Sequence, residues 1–109
     1  MTVQRGSVVL VRFPFSDISA SKQRPAVALA GFGRGDYVLV QVTSKAYADL
    51  DAVGLTGASF ARGGLSLTSY ARPGKLFTTN YALIVREVGA LTDAALDELV
   101  AAVVKLLGG

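Results

Sequence analysis

The sequence predicts a mainly β protein, a small antiparallel barrel with one C-terminal helix. Two observations predict it. Six or seven short apolar or alternating segments follow one another closely, with turn residues between them. Only the stretch after Thr92 carries apolar residues at spacings of three and four. The 109 residues are half hydrophobic, and no repeat or linker divides them, so residues 1–109 read as one domain.

Gly6-Ser7 opens the first apolar run, Val8–Val11, which ends at Phe13-Pro14 because proline cannot continue a ladder. Phe13 reads as core, and Phe15 as either core or a platform for a base. Residues 15–22 are a loop of turn formers. Strand two is read as Pro25–Ala30, with Pro25 its first residue, and strand three as Tyr37–Thr43. The glycine-rich turn between them has no helix pattern behind it, which argues against a phosphate-cradling loop. Val53–Leu55 suits a short edge strand, and Gly57–Gly64 reads as loose, with a turn at Arg62–Gly64. Leu65–Tyr70 alternates like a half-buried strand. Arg72–Lys75 reads as a turn, followed by strands at Leu76–Thr79 and Ile84–Val88. Thr92 caps the helix, Asp93 complements its dipole, and Gly108 ends it.

Composition removes several function classes. There is no Cys, so no disulfide or thiolate chemistry. There is no His, which excludes imidazole acid–base catalysis and the commonest metal ligand. Asp49 and Asp51 lack a third ligand nearby and read as a solvated pair, so neither a metal nor another cofactor is expected. No apolar run reaches membrane-span length, and Thr2–Gly6 lacks a signal-peptide core, so a soluble cytoplasmic protein is expected, with no membrane partner. The net charge of +3 conceals an asymmetry. Residues 1–86 hold 10 Lys/Arg against 4 Asp/Glu, whereas residues 87–109 hold Lys105 against four acids. A basic body suggests an anionic partner.

The most suggestive stretch is Lys22-Gln23-Arg24-Pro25. Pro25 fixes its own backbone and forces Arg24 into extended geometry, which sets a permanently charged fork of donors at the mouth of a strand. Such a fork suits a phosphate. If strands two and three form a hairpin, strand two begins where strand three ends, so Arg24 and Thr43 come out as neighbours. Lys22, Lys45, Arg62, Arg72 and Lys75 are candidate groove charges, each equally readable as a solvated surface residue. Tyr47, Tyr70 and Phe15 are candidates for base stacking.

Taken in order, these motifs resemble the MazF/PemK family of toxins from type II toxin–antitoxin modules. The resemblance rests on Gly6–Val11 followed by Phe13–Asp17, then Ser21–Ala26, Gln41–Ser44, Ser69–Phe77 and Val88–Thr92. It implies an SH3-like barrel of the CcdB/MazF type and a homodimer. It implies metal-independent cleavage of single-stranded RNA at short preferred sequences, and an antitoxin whose acidic segment occupies the RNA groove. By the family's motifs, Arg24 and Thr43 are the expected catalytic pair, and Ser21 and Arg72 are expected to bind RNA. Ser44, beside Thr43, joins the candidate RNA-binding residues. The family usually opens Gly-Asp where this chain has Gly6-Ser7, so a carboxylate expected to anchor local loops is missing.

RNA supplies its own nucleophile, the 2′-OH, so a positioned guanidinium and hydroxyl suffice in kind for the implied chemistry. Two other classes remain. One is a CcdB-like toxin that inhibits DNA gyrase and needs no Arg24–Thr43 pair. The other is a non-cleaving RNA-binding module or SH3-like adaptor. The adaptor should show an aromatic-lined groove, against which the absence of Trp counts.

Overall fold

The structure is a computed structural model that describes residues 2–12, 22–46 and 49–109. Phe13, Phe15, Ser21 and Tyr47 lie outside the described residues. Among the described residues, seven strands form one antiparallel sheet: β1 (Ser7–Arg12), β2 (Gln23–Phe32), β3 (Asp36–Thr43), β4 (Val53–Leu55), β5 (Phe60–Gly63), β6 (Ser69–Asn80) and β7 (Ile84–Leu91). Helix α1 (Asp93–Leu106) follows, and the spatial order of strands is β4-β6-β3-β2-β1-β7-β5. The sheet curls into a half-barrel with the helix at the chain's end, as the sequence predicts.

The central strands are apolar on both sides because both faces are buried. Val8, Val27, Val40 and Val42 pack with Leu96, Leu99 and Val103 of α1. Their neighbours Val9, Ala26, Ala28 and Leu39 point the other way and pack with Val3 and Ile84. Successive side chains alternate faces, so the continuous run Val8–Val11 serves two cores at once. On α1, the Thr92 hydroxyl accepts from Ala95 N at 3.1 Å and caps the first turn, as its residue type predicts.

The structure corrects four expectations. β2 begins at Gln23, so Pro25 sits inside the strand, opposite Leu10 of β1. It is tolerated because pairing with β3 starts only at Ala26, leaving Pro25 at an edge position on that side. Arg72–Lys75 does not reverse the chain. Val40 pairs with Leu76 and Val42 with Ala71, so these four residues bulge out against Gln41 alone within one long strand. Pro73, fully buried, has no N–H to leave unpaired there. The alternating stretch Leu65–Thr68 finds no partner strand among the described residues, and only Ser69 and Tyr70 join β6.

The fourth correction concerns Phe60–Gly63, which pairs with β7 rather than staying loose. Two glycines permit it. Gly63 has φ +63°, and a Cβ there would collide with Val88 O; a Cβ at Gly89 would stand 2.8 Å from Arg62 O. The two backbones touch where no side chain fits.

The Gly6-Ser7 opening is also resolved. Ser7 is buried, and its hydroxyl accepts from Gln4 N at 2.9 Å while donating to Glu87 Oε2 at 2.6 Å. The carboxylate missing at position 7 is thus met by one from β7.

Candidate functional site

Strand register builds the site. Ala26 of β2 stands opposite Gln41 of β3, and the same register carried two residues further sets Arg24 against Thr43. By strand alternation both project on the face of Leu39 and Ala26, away from α1. Arg24 and Thr43 line one cavity of about 350 Å³. Ser44, Lys45 and Arg72 line it too.

Among the described residues, its walls come from three places. The ends of β2 and β3 form the floor. The β6 bulge brings Arg72. The unpaired segment Leu65–Leu67 stands as a partition between this cavity and a second hollow beside Gly57 and Phe60. Alternation in Leu65–Tyr70 thus marks a wall rather than a strand.

Thr43 is oriented from behind. Its Oγ1 accepts a hydrogen bond from Lys45 N at 3.2 Å, which leaves the hydroxyl proton free to be donated elsewhere. Arg24 is exposed, and it forms no ion pair with an acid among the described residues. Arg72 differs. Its Nε and Nη2 donate to the two oxygens of Asp49 at 2.8 and 3.1 Å, a side-on bidentate pair in which each side chain is about one-fifth exposed. These bonds hold the Asp49 carboxyl below its usual range, with Lys75 adding a smaller push in the same direction. Asp49 is therefore committed to Arg72, not half of a solvated pair.

Not every candidate gathers here. Lys22 is exposed just before β2, and Lys75 is exposed in the β6 bulge; neither lines the cavity. Arg62 lies on β5 at the far edge of the sheet and pairs with Glu87. Tyr70 is half-buried opposite Thr43 in register, outside the lining. Sequence reasoning left Gln41 and Asp49 out of the site. Gln41 carried a signal, because it is the one polar residue inside the run Val38–Val42 and it lines the cavity. Asp49 carried none, since its partner lies 23 residues away.

The family model of the PemK-like, MazF-like toxin of type II toxin-antitoxin systems matches residues 4–107. The chain belongs to this family. Solved structures agree in fold. MazF from Deinococcus radiodurans superposes with a TM-score of 0.76 at 19% identity, covering all of both chains. A MazE–MazF complex from the same organism gives 0.78 at 18% identity, covering 99% of this chain and 98% of that one. An endoribonuclease in complex with its cognate antitoxin, from a mycobacterial species, gives 0.74 at 18% identity, covering 99% and 96%. At such identities the likeness shows the fold of this MazF-like toxin and nothing further. No curated protein matches the sequence at significance. Among the described residues, no helix is long and apolar enough to cross a membrane.

Proposed function

We propose that this MazF-like toxin is a sequence-preferring endoribonuclease that cleaves single-stranded RNA, mRNA above all, without a metal ion, with Arg24 and Thr43 as its catalytic residues. The observation that carries the reading is their meeting in one cavity at the paired ends of β2 and β3. The substrate's 2′-oxygen attacks the adjacent phosphorus, and the bond from phosphorus to the 5′-oxygen breaks. The ends are a 2′,3′-cyclic phosphate and a 5′-OH. The 2′ proton leaves to water or a phosphate oxygen, and the departing 5′-oxygen takes a proton from water.

Arg24 neutralises the charge that builds on the phosphorane, and a guanidinium keeps its own charge through the reaction. Thr43 donates its hydroxyl to a non-bridging oxygen, the role its hydrogen bond from Lys45 N favours. Lys45 and Ser44 contact the strand beside the cut, with Ser21, Lys22 and Lys75 as further backbone contacts. Arg62, engaged by Glu87, joins only if RNA reaches the far sheet edge. The toxin works in the cytoplasm as a homodimer. Its antitoxin lays an acidic segment over the same cations.

Purified protein mixed with long single-stranded RNA in EDTA tests this, with both ends of the products mapped. Expected are 5′-OH ends and cyclic phosphates. Bound but uncut RNA would leave a non-cleaving RNA-binding module. Uncut RNA together with blocked supercoiling by gyrase would assign the CcdB-like activity instead.

A further inference from the structure

We propose that Arg72, buttressed by Asp49, reads a base of the substrate RNA, and that this base is cytosine or guanine. The inference rests on the RNA-cleaving reading above and deepens it.

The geometry of the fork comes first. Asp49 takes the Nε–Nη2 side of the guanidinium, which leaves the Nη1–Nη2 end as a second pair of parallel donors. Arg72 lines the same cavity as Arg24 and Thr43, within reach of nucleotides flanking the cut. The bidentate bond fixes the plane of the fork, so the ordering cost of a directed contact is met before RNA arrives.

Charge decides what the free end accepts. Arg24 and Lys45 line the cavity with no acid partner among the described residues, and they are suited to phosphates. Arg72, by contrast, is neutralised by Asp49. A phosphate at its free end would also feel the Asp49 carboxylate behind it, so most of the long-range pull cancels. A neutral base edge suffers no such loss and keeps both hydrogen bonds.

Two parallel donors need two adjacent acceptors. Cytosine offers O2 and N3 on its Watson–Crick edge, and guanine offers O6 and N7 on its Hoogsteen edge. Neither adenine nor uracil sets two acceptors side by side. Both edges are open in a single strand.

The experiment maps cuts in a random-sequence RNA pool made by wild type, Arg72→Gln and Asp49→Asn. Wild type should favour cytosine or guanine at one fixed offset from the cut, by on the order of tenfold to a hundredfold. Arg72→Gln should abolish that preference and Asp49→Asn should weaken it. Wild type should lose it on RNA carrying the analogue of the base that is read, 3-deazacytidine for cytosine or 7-deazaguanosine for guanine, and keep it with the other analogue, a measurement that needs no variant to fold and that separates the two bases.

Salt dependence tests Asp49 as a positioning residue. Asp49→Asn unmasks a cation, so the fall of log kcat/KM with log salt should steepen by about 0.7, one single-strand contact, whereas the double variant Arg72→Gln with Asp49→Asn, which removes both charges of the pair, should leave the slope unchanged. A slope flattened by about that amount in the double variant would make Arg72 a phosphate contact and overturn the proposal. Cleavage with no preference for either base, or with one that survives the variants and the analogues, would overturn this inference alone. No cleavage by wild type would overturn both readings.

Discussion

Ser7 and Glu87, eighty residues apart in the chain, share a hydrogen bond of 2.6 Å. The Ser7 hydroxyl accepts from Gln4 N on one side and donates to Glu87 on the other, and Arg62 engages the second carboxylate oxygen. One buried hydroxyl thereby ties the N-terminal segment to β7 and, through Arg62, to β5. Ser7→Ala should cost about 1–3 kcal/mol, because a backbone N–H and a carboxylate oxygen lose their partner together. Urea unfolding at neutral pH measures it. Arg62→Ala should cost less, since Arg62 is 59% exposed and its pair is screened by water and salt.

Acid should weaken the fold through two carboxylates. Bonding to Arg62, then to Ser7, holds Glu87 below its usual range, and bonding to Arg72 does the same for Asp49. Both groups therefore bind protons more weakly in the folded chain than in the unfolded one. Their stabilisation is fully present above about pH 4–5, where even the unfolded carboxyls are ionised, and drains as pH falls through the lower folded values. Melting temperature followed from pH 7 to 2 should show this loss. Glu87→Gln should start lower at pH 7 and fall less steeply.

Arg24→Ala should reduce kcat on single-stranded RNA by about a hundredfold to a thousandfold, the usual cost of one oxyanion donor. Thr43→Val should lose nearly as much, while Thr43→Ser, which keeps a hydroxyl, should retain most of the rate. Single-turnover cleavage of a labelled oligonucleotide separates the chemical step from binding. Equal loss in Thr43→Ser and Thr43→Val would remove the hydroxyl from the mechanism.

Leu99, fully buried between α1 and the sheet, anchors the helix-side core. Leu99→Ala should destabilise by about 2–5 kcal/mol, as a cavity replaces the side chain. Thr92→Ala should cost about 1 kcal/mol through loss of the cap on Ala95 N. Chemical denaturation of the two variants, read by far-ultraviolet circular dichroism, should rank them in that order.

The fold was legible where burial imposes a period. The apolar runs at Val8, Val27 and Leu39 announce strands covered on both faces, and the spacing of Leu96, Leu99 and Val103 announces the helix. What the sequence hid depends on partners distant in the chain. Phe60–Gly63 becomes a strand only because Gly89 lets β7 approach. Arg72–Lys75 has the composition of a turn, yet both flanks pair with β3, so it becomes a bulge. At the site, the closeness of Arg24 and Thr43 followed from hairpin register alone. The Asp49–Arg72 pair did not, because nothing local to Asp49 points to β6.

The backbone contact between Gly63 and Gly89 has a genetic consequence. A screen for surviving cells that express a harmless form of this toxin should return two kinds of mutant. Changes at Arg24 should leave normal amounts of soluble protein that has lost its poison. Any side chain at Gly63 or Gly89 should spare the cell by a different route, prising β5 from β7 so that little folded protein accumulates. Immunoblots of the survivors would sort the two.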